Sequence, residues 1–142
     1  MARLTLLLAF ALPAFLTAAP VPKGVKKKAD PNGTWELVEY NSNGVVQDHS
    51  RMIKQWTLDG DTFRIGAGKG NEWLFSTPDP DKPTQRRFAP AGGGAGYAAA
   101  LEVDGDELRF CYAPNRTDPI SECAPAKNVM FYRFKRVTDA GK

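Results

Sequence analysis

The sequence predicts an all-β domain, a curved antiparallel sheet of about eight strands closing into a small barrel. Three observations lead there. Short apolar–polar alternating runs are separated by turn-forming residues. The same Asp-Gly-Asp hairpin occurs twice. No segment keeps a helical hydrophobic period over three turns.

The first strand follows the turn former Asp30-Pro31-Asn32-Gly33 and covers 34–40, with Trp35 near its start. Asn43-Gly44 is a two-residue hairpin signal, and Val45-Val46 returns from it. Further strands are expected at 52–58, 62–65, 72–76, 98–103, 107–112 and 129–136, with a helical turn allowed at 48–53. Leu58-Asp59-Gly60-Asp61-Thr62-Phe63-Arg64-Ile65 and Val103-Asp104-Gly105-Asp106-Glu107-Leu108-Arg109-Phe110 are the two echoing hairpins. Asp and Gly tolerate the left-handed backbone that such turns need. If Leu58 faces Phe63, then Trp56 faces Ile65 on the same side. The equivalent register groups Leu101, Val103, Leu108 and Phe110, and turns Arg64 and Arg109 into water. Segment 77–83 holds three prolines and reads as a stiff connection. Segment 89–96 is rich in Gly and Ala and reads as a loop.

The chain start reads as a secretion signal. Arg3 gives a positive end, 4–12 an apolar run, Pro13 a break, and Leu16-Thr17-Ala18-Ala19 small residues for a peptidase. The run is shorter than the ~20 residues of a membrane span. The expected organisation is signal peptide 1–19, basic linker 20–31, barrel 32–137 and tail 138–142. The expected location is periplasm, envelope or exterior, with no transmembrane segment after cleavage. The net charge of +3 is unevenly placed. Lys23, Lys26, Lys27 and Lys28 sit in the linker, and from Asp30 onward 14 Lys and Arg face 16 Asp and Glu. A nucleic-acid reader needs a basic face on the domain itself, so that partner class is excluded.

Candidate chemistry is sparse. Asp48-His49-Ser50 holds the residue types of nucleophilic catalysis, but sequence neighbours diverge where a triad must converge. Gly66-Ala67-Gly68-Lys69-Gly70 lacks the Ser or Thr and the helix of a phosphate loop. Asp59, Asp61, Asp104 and Asp106 lack the long loop and closing glutamate of a calcium hand, and turn chemistry accounts for them. Asn32-Gly33-Thr34 and Asn115-Arg116-Thr117 fit the glycosylation pattern, which matters only in a glycosylating host. No cofactor or metal is expected. Cys111 and Cys123 are the only cysteines, and an even count in an exported chain favours a structural disulfide. Trp35, Trp56, Phe63, Phe110 and Phe134 fall on the expected inner face. They either fill the core or line a cavity for an apolar ligand.

Gly33-Thr34-Trp35, "LDGDTFRI", "VDGDELRFCYAP" and the closing "VMFYRFKR" resemble a small domain family common in predicted exported planctomycete proteins. That family is described as lipocalin-like and has no established function. The resemblance covers roughly 32–136. Thr84-Gln85-Arg86-Arg87 follows Pro83 where the family has P-x-x-I-D, and Ala99-Ala100-Leu101 replaces its G-I-Y. Cys123 stands where it usually has an aromatic. The resemblance implies a lipocalin-like antiparallel barrel and no catalytic residues. It also implies that Trp35 closes one barrel end beneath a late-strand arginine, for which alternation nominates Arg136. The function expected is a non-enzymatic binding module for a small apolar ligand or an envelope component. The alternatives are a protein-interaction domain with a filled core and, last, a hydrolase.

Overall fold

The computed structural model describes residues 29–67, 70–76 and 79–138. The expected signal peptide, most of the basic linker and most of the tail lie outside these residues, as do 68–69 and 77–78 within the domain. Nine strands follow in order: β1 Gly33–Ser42, β2 Val45–Gln47, β3 Gln55–Asp59, β4 Thr62–Ile65, β5 Glu72–Phe75, β6 Gln85–Pro90, β7 Tyr97–Asp104, β8 Glu107–Ala113 and β9 Met130–Arg136. Every pairing is antiparallel, and β1 pairs with β9 to close an eight-stranded barrel. The short β2 lies outside the ring, paired with the last residues of β1.

Both repeated hairpins take the expected register. Leu58 faces Phe63 and Trp56 faces Ile65, while Leu101 faces Phe110 and Val103 faces Leu108. Gly60 and Gly105 make the turns at φ 58° and 60°, where a side chain would be strained. Arg64 points out and meets Glu72 at 3.0 Å. Ile65 is only partly buried, because it sits at the end of its strand rather than mid-barrel.

Three features depart from expectation. Gln85–Pro90 is a strand, although it carries no alternation and runs into the expected 89–96 loop. Pairing with β5 and β7 on both sides imposes it. The pairing of β1 with β9 shifts between Leu37 and Glu39, so a bulge reverses the facing of everything after it. Tyr40 thereby turns inward onto Tyr132 at 5.0 Å. Segment 48–54 forms a turn, closed by Met52 N donating to His49 O, rather than a helix.

Apolar packing occupies two layers. The barrel interior holds Trp35, Phe63, Phe110 and Phe134, all 0% exposed. A second cluster lies on the outer face of β7, β8 and β9, where Ala98, Ala100, Cys111 and Phe131 are covered by Ile120 and Cys123 of the β8–β9 connection. Ala98 and Ala100 are small enough to let that connection approach the sheet. Beside it runs a line of cross-strand ion pairs from Glu39 to Arg133, Glu107, Arg109 and Glu102. Glu102 then accepts from the backbone N–H of Cys123 at 3.1 Å, anchoring the connection.

Candidate functional site at the two ends of the barrel

One barrel end is sealed. The Arg136 guanidinium lies 4.2 Å from the Trp35 ring centroid. Its donors reach Asn32 O and Asp30 O, and Asp106 Oδ1 lies 3.7 Å away. The Trp35 indole N–H donates to Pro31 O, so the arm before β1 is strapped over the opening. Gly33 makes this possible. Its φ is +131°, and a Cβ there would come within 2.9 Å of Arg136 Nη1. Replacing Arg136 with lysine keeps the charge but loses the planar fork and the stacking. We expect Arg136→Lys to cost about 1–2 kcal/mol, against less than ~0.5 kcal/mol for Lys135→Ala, whose side chain is exposed. Thermal unfolding of the two variants checks this.

The five aromatics named from the sequence share one core, where Trp56, Phe63, Phe110 and Phe134 pack against one another and Trp35 lies beneath Arg136. Phe63 lies 4.9 Å from Trp56, 5.4 Å from Phe110 and 6.3 Å from Phe134, centroid to centroid. Trp56 is also 4.9 Å from Phe134, and its indole N–H is satisfied by Ile53 O. A pocket of about 480 Å³ does open near the sealed end, but none of the five aromatics lines it.

The opposite end carries a rim that the sequence reading did not single out. All four tyrosines of the chain, Tyr40, Tyr97, Tyr112 and Tyr132, face the same interior here. Tyr112 lies 5.6 Å from Tyr97 and 6.2 Å from Tyr132. Trp73 stacks on Phe88 at 4.5 Å and continues the ring, and Met52, Ile65 and Met130 fill between. Except for Tyr132 and Phe88, these rim side chains are partly exposed, and the Tyr40 hydroxyl points to Met130 Sδ at 3.4 Å. The signal was present in part, since Tyr112 and Tyr132 fall two residues from Phe110 and Phe134 on alternating strands. Tyr40 was hidden by the bulge.

Burial, then the neighbouring Tyr112, pushes the Tyr132 phenol well above its ordinary value of 10.0. Burial likewise raises Tyr112. Above pH 10 the unfolded chain loses these protons while the folded barrel keeps them, so the unfolded state binds fewer protons and stability falls as pH rises. The melting temperature should drop from about pH 10 upward, and less steeply in Tyr132→Phe. An identical alkaline slope in that variant contradicts the assignment.

The remaining candidates do not assemble. Ser50 N and Oγ both donate to Asp48, which spends that pair on a turn and lowers the Asp48 pKa. Gly66–Ala67 and Gly70 connect β4 to β5, with no helix following. Among the described residues no three His, Cys, Asp or Glu gather as a metal site, and no helix is long and apolar enough to cross a membrane. Asn41 is a buried polar residue, 3% exposed, whose Oδ1 has no partner among the described residues. The expected disulfide is corrected: Cys111 and Cys123 lie 2.7 Å apart as free thiols. Burial, reinforced by Cys111, pushes the Cys123 thiol far up, and a thiol with so little thiolate character exchanges slowly.

The fold and its ends thus define a closed antiparallel barrel with a packed interior, one strapped end and one aromatic end. No protein-family profile, curated protein or solved structure matches this chain.

Proposed function

We propose that the protein is an exported, non-enzymatic binding module of the lipocalin-like family its motifs resemble, taking a flat apolar ligand or envelope component at its tyrosine-rimmed end. The observation that supports this is the inequality of the two ends. Arg136, Trp35 and the arm seal one. The other presents partly exposed Trp73, Tyr97 and Tyr112, which offer ring faces and hydroxyls together. With the interior filled, a ligand rests on the rim rather than inside the barrel. Aromatic contacts of this kind contribute about 0.5–1.5 kcal/mol each, so Tyr112→Ala or Trp73→Ala should weaken binding roughly threefold to tenfold. Native mass spectrometry of protein purified from its own host checks this. A retained mass that the rim variants lose supports the reading, and a retained mass unaffected by them overturns it.

A second reading rests on β2. Val45 and Val46 are 61% and 64% exposed on a strand that pairs on one edge only among the described residues, the form of surface that accepts a partner strand. It predicts concentration-dependent association, or a protein partner lost in Val46→Lys.

A further inference from the structure

We propose that the pocket of about 480 Å³ beside the sealed end is a second, separate site, which binds an apolar monocarboxylate through Arg86. It is bounded by Ala29 and Pro31 of the arm, by Pro83, and by Leu101 and Val103 of β7. It exists because β6 begins too late: Gln85 pairs with Ala100 and Thr84 O takes Leu101 N–H, but residues 102–104 have only β8 beside them. The barrel wall is therefore open along the end of β7.

Arg86 sits at this opening with the wrong polarity for its place. It pairs with Ala99 of the interior cluster, so it faces inward, as Phe88 does two residues on. The strand arginines Arg64, Arg109, Arg133 and Arg136 each meet a carboxylate, and the outward Arg87 of β6 is exposed and donates to Gly96 O. Arg86 meets none within ion-pair distance among the described residues. Asp61, exposed and beyond ion-pair distance, offsets this charge only in part, so burial still lowers the Arg86 pKa and the partly buried cation stays costly.

The guanidinium is nonetheless fixed. Nη1 donates to Pro83 O and to Gln85 O. Among the described residues, Nε and Nη2 have no acceptor, and that edge is the one that grips a carboxylate with two parallel bonds. Arg109 does not compete, because Glu107 and Glu102 hold it. Asp104 at the pocket is exposed, where water screens it. A carboxylate on Arg86 with its chain over Leu101, Val103 and Pro31 satisfies both the charge and the apolar floor. The volume falls in the range of about 300–1,000 Å³ typical of small-molecule sites.

Titration of the isotope-labelled protein with octanoate, octylamine and octanol, followed by amide NMR, tests this. Octanoate should shift Arg86, Leu101 and Val103, with the cationic octylamine and the neutral octanol binding at least ~10-fold more weakly. Arg86→Gln should lose octanoate by a similar factor, and Arg86→Lys should lose part of it, while Arg87→Gln on the outer face should bind normally. Spectral dispersion verifies that each variant is folded. The proposal is overturned if octylamine binds as well as octanoate, if octanoate shifts nothing at Arg86, or if a folded Arg86→Gln or Arg86→Lys binds undiminished. Tyrosine-rim signals report separately, so this result and that of the rim experiment are distinguishable.

Discussion

Phe63→Ala is expected to destabilise the barrel by about 3–5 kcal/mol. Phe63 is fully buried, and its ring meets five others, Trp56, Phe75, Phe88, Phe110 and Phe134, with centroids 4.9 to 6.3 Å away. It comes from β4, Phe110 from β8 and Phe134 from β9, so it joins opposite walls of the barrel. The surrounding rings are themselves held by strand registers and cannot collapse fully into the gap, which adds a cavity cost to the lost transfer energy. For a domain of this size the melting temperature should fall by more than ~12 °C. Arg64→Ala, one residue along and half exposed, should change it by less than ~0.5 kcal/mol. Calorimetry of both variants decides the point, and near-equal effects would mean that the interior is not packed as described.

Oxidation of the cysteine pair should produce the next largest change. An oxidant such as oxidised glutathione can take two electrons and two protons from Cys111 and Cys123, leaving one sulfur–sulfur bond and two reduced glutathiones. The side chains already touch at 2.7 Å, so little rearrangement is required. Closing the short loop between them should stabilise the oxidised form by about 3 kcal/mol. The reaction should be slow in the folded protein, because burial suppresses the thiolate, and fast during refolding. Loss of both free thiols after refolding in a glutathione buffer, with a matching rise in unfolding free energy that Cys123→Ser abolishes, is the expected outcome. Two persistent thiols after such refolding would falsify it.

Legibility of the fold followed the strength of local signals. The Asp-Gly-Asp repeats carried turn chemistry and alternation at once, so their register was readable residue by residue. The Trp35–Arg136 closure was implied by the family resemblance, and alternation in β9 singled out Arg136 by putting it on the side of Phe134. β6 was not readable: Gln85-Arg86-Arg87-Phe88-Ala89-Pro90 has two adjacent charges and a terminal proline, and only its neighbours make it a strand. The bulge in β1 was equally silent, since no glycine or proline marks it, and with it went the inward facing of Tyr40. The outer apolar cluster was illegible because the β8–β9 connection folds back over Cys111 through contacts distant in sequence. The inward Arg86 depended on the same unreadable strand.

Fluorotyrosine labelling tests the central reading most directly, because all four tyrosines lie at one end of the barrel. Fluorine NMR of the labelled protein, titrated with fractionated envelope extract from its own host, should show a fraction that shifts Tyr97 and Tyr112, with Tyr40 following, and Trp73→Ala should weaken that shift. A fraction that binds the protein while leaving every tyrosine signal in place would contradict the account.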